Sequence, residues 1–491
     1  MIRTPNPAGH SAELPATGPE SGKTGNPAGG KTPRRLMFIM LVLALLTAAC
    51  SSGGNTEEAD GEPVTLKVLY WNEQSFHSEY GMPYYALNPD VEFEVVNTSK
   101  IRVSEGESYL DKLDEFIREE KPDILVLDLE QYEKYAADGR LVSFESYLTR
   151  DKVDLDGFVP GLIELMRSKG GGELYGLTPH FSSQALYYNK DLFDRYGIDY
   201  PTDRMSWEDL FNLAARFPTD GSDEDRVYGL NIGYYTDLFQ LGQRIGMSLG
   251  LREVNPADMR VLLDSDSWAR VYEMALGALR SGALYKIEAT SFEGGYEEYL
   301  LRDPFISGKA AMTIDGAYLV QQIREAREYV PDKAVKNWDL VTVPVDPANP
   351  DYMHDVSYYN IFAINADSAN RDAAWDFIRY IHGDDYARVM SKILNGRIPV
   401  RTKYIRDDEG RNMAAFYLLK PAVTNAYAGY ADLPDDFFMQ YYTIGTEEMQ
   451  AVMEDRKTVA EALAGMQTRL QAALDEALAN RAGEGASGQN E

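Results

Sequence analysis

One cysteine, Cys50, stands in a chain of 491 residues, so no pair of thiols is available for a disulfide. The folded body must be held by packing. Positive charge is also scarce, with 48 Lys and Arg against 78 Asp and Glu and a net charge of −30. Such a surface repels phosphate backbones and anionic headgroups, which argues against nucleic acid and against charge-driven membrane binding. The apolar run Leu36 to Leu46 falls short of the ~20 residues that span a bilayer. No GxSxG elbow, HExxH pair or phosphate-cradling glycine loop occurs, and no cofactor is expected. In "DGSDEDR" Asp220, Ser222 and Glu224 stand at calcium-loop offsets. Asp225 occupies the place where the loop needs glycine, so no metal site is expected there.

What is present is a chain able to bury a core, with 44% hydrophobic and 11% aromatic residues, 33 of them tyrosine. Tyrosine joins an apolar ring face to a polar tip, which suits solvent boundaries and sugar-binding clefts. Ahead of Cys50 come a cationic patch (Lys31, Arg34, Arg35), the apolar run and the small residues Ala48 and Ala49, the order of a secretory signal. Thr47, Ala48, Ala49 and Cys50 resemble a bacterial lipobox, in which the cysteine carries lipid and becomes the mature N-terminus. Thr47 departs from the aliphatic residue usual at that place. Residues 1–49 are thus expected to be an N-terminal extension and lipoprotein signal peptide. Their loss, with five Lys/Arg and two Asp/Glu, takes the net charge from −30 to −33. Residues 50–63, rich in Ser, Gly and acid, are expected to form a lipid-anchored tether, and 481–491 a disordered tail.

Between them the pattern is α/β. "VTLKVLY" at Val64 to Tyr70 is a strand, "SYLDKLDEFIRE" puts Leu110, Leu113 and Ile117 on one helical face, and "ILVL" at Ile124 to Leu127 is a buried strand. This βαβ order implies a parallel sheet. Later, "YYNIFAIN" predicts a strand and "DAAWDFIRYIHG" an amphipathic helix. Thr458 and Glu461 predict a capping box that opens a final helix.

The segment Gly172 to Leu210, "GELYGLTPHFSSQALYYNKDLFDRYGIDYPTDRMSWEDL", resembles the signature of family 1 extracellular solute-binding proteins, the maltose-binding-like receptors of ABC importers. "KPDILVLDLEQYEKYAADGRLVSFESYL", "FISGKAAMTIDGAYL" and "IFAINADSANRDAAWDFIRYI" are similar to further segments of that family, in the expected order. The resemblance implies a two-lobed periplasmic-binding-protein-like fold, each lobe a mainly parallel sheet flanked by helices, with a hinge and an interlobe cleft. It implies lobe one over 64–179 plus 308–350 and lobe two over 180–307 plus 351–480. It further implies a monomer outside the cytoplasmic membrane that binds a small-molecule solute, in most relatives a carbohydrate, and passes it to ABC permease subunits. Contact with the membrane would be through the lipid alone. Two other classes remain: a ligand-sensing lipoprotein that signals to a receptor kinase, and a secreted glycoside hydrolase. For the hydrolase, an abundance of acidic residues makes carboxylate pairs trivially available and therefore uninformative.

A sugar needs a flat apolar ring against its face and planar polar groups against its hydroxyls. Trp71, at the carboxyl end of the first strand, is the expected platform, with Asn72 and Glu73 beside it; the alternative for Trp71 is a core cover. Asp128 and Asp315 with Gly316, at the ends of other strands, are the expected carboxylate acceptors, and helix N-capping is the alternative for each aspartate. His180, Tyr188, Tyr318, Tyr358 and Tyr359 are further candidates. Arg397 in "NGRIPVR" is the last, with a surface ion pair as its alternative.

Overall fold

The computed structural model describes residues 64–487 except 105–107, 222–225, 236, 287–293, 394–395, 408, 424–428 and 431–432. Cys50 with its signal segment and tether, the calcium-like offsets from Ser222 to Asp225, and the last four residues lie outside the described residues. No helix among the described residues is long and apolar enough to cross a membrane.

In chain order the strands are β1 (Val64–Tyr70), β2 (Val91–Asn97), β3 (Ile124–Leu127), β4 (Gly176–Leu177), β5 (His180–Asn189), β6 (Tyr228–Asn231), β7 (Val254–Asn255) and β8 (Arg260–Val261). They continue with β9 (Ala310–Gly316), β10 (Trp338–Thr342), β11 (Tyr352–Met353), β12 (Val356–Tyr358), β13 (Ile361–Ile364), β14 (Ile398–Pro399) and β15 (Lys420–Pro421). The first large sheet runs β2-β1-β3-β13-β4 and the second runs β10-β5-β9-β6. β1, β2 and β3 pair in parallel, as do β6 and β9; β13 and β4 join the first sheet antiparallel, and β10 and β5 join the second in the same way.

The strands β1 and β3 and the helix between them form where the sequence predicts them. β1 is flanked on both edges and is buried from Val68 onward. The helix Tyr109–Glu120 starts at Ser108, whose hydroxyl accepts from the Asp111 amide, and stops where Lys121 turns left-handed. The helix Arg371–Ile381 buries Ala374, Trp375, Phe377, Ile378 and Ile381. At the far end of the chain, Glu461 accepts from the Thr458 amide at 2.9 Å and Thr458 Oγ1 from the Glu461 amide at 3.2 Å, the predicted capping box. That last helix runs on to Ser487, through the start of the expected tail.

Two return segments lie in the opposite sheets from those expected. β9, placed in advance with lobe one, pairs with β5 and β6 in the second sheet, and β10 pairs with β5. β13 and the helix Arg371–Ile381, placed with lobe two, belong to the first sheet and its core. The physical reason is burial. All four residues of β13 are buried, which demands a strand covered on both faces, and the slot between β3 and β4 supplies it. The second core instead draws its late residues from Leu433 to Ala477.

β5 is the longest strand of the second sheet. Its first half pairs with β12 and β14, its second half with β9 and β10. In that second half the side chains alternate between two cores: Ala185 and Tyr187 enter the first, Leu186 and Tyr188 the second.

Candidate functional site

β1 and β3 run parallel, so their carboxyl ends share one edge of the first sheet, where ligands of open α/β sheets gather. β1 ends at Tyr70 and the next residue, Trp71, is 53% exposed. Its ring is 6.0 Å from that of Tyr70, and it serves as surface rather than core cover. Asn72 does not face a ligand freely: its side chain caps the helix Glu73–Phe76 by accepting from the Ser75 amide at 2.8 Å. Glu73 is exposed in that helix's first turn.

The same stretch then contains a π-helical turn, His77–Gly81, that re-aims the side chains following it. It brings Glu79 against the Arg397 guanidinium and within 3.5 Å of the Tyr70 hydroxyl. Tyr80, fully buried, receives a hydrogen bond from Asn360 Nδ2 at 3.1 Å, and Asn360 also donates to Tyr70 at 3.4 Å. Asn360 holds a left-handed φ of 56° between β12 and β13, a conformation asparagine tolerates better than most residues. Burial, and then the Glu79 charge, push the Tyr70 hydroxyl up to about 12. For Arg397, burial works against the charge, but the Glu79 pair outweighs it and moves the guanidinium upward.

His180 opens β5 inside this wall, 3% exposed. It stacks on Tyr80 with centroids 6.2 Å apart and meets Tyr359 edge-on at 5.4 Å. Burial, with Arg397 and His382 nearby, pushes it down to about 3, so it is neutral at physiological pH, and its Nε2 has no hydrogen-bond partner. Tyr359 shares a 2.9 Å hydrogen bond with the Ser182 hydroxyl, which also donates to the Gly396 carbonyl at 3.3 Å. Thr178 is a buried pin: its hydroxyl contacts the His180 carbonyl at 2.7 Å and the Tyr359 carbonyl at 2.9 Å.

The second sheet contributes the other wall. Asp315 ends β9; its Oδ1 accepts from the Gly316 amide at 2.7 Å and the carboxyl also bonds Tyr318. Burial raises it to about 6, the negative Asp303 adds to the rise, and the Tyr318 and Gly316 bonds oppose it. Tyr318 is 43% exposed at the start of the helix Tyr318–Tyr329, and a side-chain carbon on Gly396 would sit 3.8 Å from it. The loop bearing Arg397 therefore lies beside Tyr318. At the middle of β5, Gln184 faces Gly316 in the ladder and accepts from Arg244, whose other nitrogen bonds Asp355 at 2.6 Å.

Seven of the expected residues thus form one continuous neighbourhood with Trp71: Asp315, Gly316, Tyr318, His180, Tyr359, Arg397 and Glu73 through its helix. Four others do different work, Asn72 as the helix cap already described. Asp128 is the N-cap of the helix Leu129–Ala137, accepting from the Gln131 amide at 2.7 Å while Gln131 reaches back, so capping is its role. Tyr188 is 7% exposed in the second core against Phe193, and Tyr358 is 8% exposed against Phe181. Residues not anticipated are Glu79, Asn360, Gln184, Arg244 and Asp355. Only the unusual helix around Glu79 could have marked any of them.

A family model described as bacterial extracellular solute-binding protein matches residues 70–388. A binding protein of Brucella abortus is 25% identical over 312 residues, 60% of this chain and 68% of its own. The maltooligosaccharide ABC transporter solute-binding lipoprotein of Streptococcus pneumoniae is 22% identical over 395 residues, 77% of this chain and 82% of its own. Among solved structures, the sugar-binding protein of Xanthomonas citri aligns with a TM-score of 0.58 at 18% identity, covering 84% of this chain and 98% of that one. A sugar transporter of Rhizobium etli in an open conformation aligns at 0.55 and 21%, covering 83% and 99%. The shared fold is two α/β lobes about a cleft, and the chain belongs to the bacterial extracellular solute-binding protein family.

Proposed function

We propose that this chain is a monomeric lipoprotein, anchored through Cys50 on the outer face of the cytoplasmic membrane, that captures a sugar or oligosaccharide and hands it to an ABC permease. The observation that carries the carbohydrate reading is the half-exposed Trp71 at the edge of the first sheet. It stands next to the Tyr70, Glu79 and Arg397 network. An indole face beside planar hydrogen-bonding groups matches the two kinds of surface a pyranose presents. Relatives named for maltooligosaccharide and arabinooligosaccharide point the same way. A solute touching both walls binds the closed arrangement better and shifts the population toward it. The chain passes between the sheets where β4 leads into β5 and where β12 leads into β13, and these two crossings are the natural pivot.

The test is a thermal-shift screen over neutral mono- and oligosaccharides. A sugar at 100 times its dissociation constant should stabilise the chain by about 2.7 kcal/mol. Trp71→Ala should weaken the best sugar at least tenfold and leave the unliganded melting temperature unchanged, because an exposed ring contributes little to the core. Unchanged affinity removes Trp71 from the site.

A further inference from the structure

The walls described above contain two guanidiniums, and both are occupied. Arg397 is bonded to Glu79, and Arg244 to Asp355 and Gln184. Neither pair is a loose surface contact: the side chains are 24% and 21% exposed in the first and 14% each in the second. Glu79 is held from three directions. Its carboxylate takes Arg397 and lies by the Tyr70 hydroxyl, and its own carbonyl accepts from Tyr386 at 3.2 Å. It sits in the π-helical turn, a local irregularity that packing must support and that recurs at functional sites. The one histidine in the wall is buried among rings and does not add a cation.

We infer that Glu79 acts as a charge lock on Arg397, closing the cleft to phosphorylated and carboxylated solutes and reserving it for neutral or amino-bearing sugars. This rests on the solute-binding reading and narrows it. An anionic group entering beside Trp71 meets Glu73 and Glu79 from the first wall and Asp315 from the second. The guanidinium that would receive it is already engaged. Arginine forks bind carboxylate and phosphate by the same geometry, so Glu79 occupies the place such a solute would take. An amino-bearing sugar would instead find carboxylates, of which Glu73 is exposed and Asp315 is held only by neutral donors. At longer range the acidic surface, with 78 Asp and Glu against 48 Lys and Arg, slows the approach of anions in the same sense.

The test titrates the mature chain by calorimetry with maltotriose, arabinotriose, xylotriose and glucosamine trimer, and with trigalacturonate and glycerol 3-phosphate as anionic probes. The wild type should bind at least one of the first four and neither anion. Glu79→Gln, which keeps the shape but frees Arg397, should gain at least tenfold in affinity for an anionic probe, and the gain should vanish in Glu79→Gln with Arg397→Gln. Wild-type binding of either anion, or no gain in a folded Glu79→Gln, overturns the lock and leaves a solute receptor standing. A chain silent to every sugar of either charge overturns the carbohydrate reading on which the lock rests. The wild-type arm needs no substitution, so it decides the question even where Glu79→Gln does not fold.

Discussion

Asp315 offers a prediction in which stability and function pull apart. Its carboxyl is enclosed at the end of β9 and raised from the ordinary 3.8 to about 6, with burial as the main cause. At 1.36 kcal/mol per pH unit this corresponds to about 3 kcal/mol of penalty on the charged form, an upper figure because water can reach a half-buried group. The sign follows from linkage. A group whose folded value lies above its unfolded one favours the fold at low pH, and this contribution is lost as pH rises from about 4 through about 6. Asp315→Asn removes the charge and keeps an oxygen for the Gly316 amide. The variant should therefore exceed the wild type by up to about 3 kcal/mol at pH 7.5, and the difference should shrink toward zero at pH 4. Urea unfolding at the two pH values measures it. If the carboxylate also accepts sugar hydroxyls, the same variant should bind its sugar roughly tenfold to a hundredfold more weakly at pH 7.5, since hydrogen bonds to a charged group are the stronger kind. A variant less stable than wild type at pH 7.5, or a difference that does not change with pH, refutes the reasoning. Such a result would mean that Asp315 is not held in an environment hostile to charge.

His180 and His382 work in the opposite direction, since burial pushes both down to about 3 from an ordinary 6.5. Their contribution is present above pH 6.5 and is lost as pH falls. In the Asp315→Asn background, stability should drop below pH 6 by about 1.4 kcal/mol per pH unit for each histidine, and a flat profile would count against their burial as neutral rings. In the second lobe, side-chain carbons on Gly242 and Gly246 would come within 2.1 Å of Tyr272 and 2.2 Å of Trp268, two rings buried to 1% exposure or less. Gly242→Ala should cost at least about 2 kcal/mol, despite the gain of about 1 kcal/mol in helix propensity, because the tight approach of two helices leaves no room for a methyl group. Equal or greater stability in chemical unfolding would show that the helices can separate. Cys50→Ser should release the chain from membranes, which fractionation and a mass of the mature N-terminus together decide.

What could be read in advance follows the range of the interactions involved. Short-range devices were legible: the Thr458 and Glu461 capping box, the stripe on Arg371–Ile381, and capping as the alternative for Asp128, which the Gln131 three residues on makes reciprocal. Sheet membership was not, because β13 is inserted antiparallel between β3 and β4 from nearly two hundred residues downstream, and chain order carries no mark of that insertion. Glu79, Arg244 and Asp355 escaped for a related reason: each acquires its role from a partner far along the chain. Tyr187 and Tyr188 mark the limit of what a period of two carries. Alternation correctly sends neighbouring residues of β5 to opposite faces, and from a sheet covered on one side only it follows that one of them must meet solvent or ligand. Both are buried, Tyr187 stacked on Trp338 at 5.5 Å and Tyr188 edge-on to Phe193 at 5.9 Å. A period of two tells which side chains share a face. Whether that face is covered depends on helices and strands contributed by the rest of the chain, and β5 is covered on both faces because each of them packs into a different core.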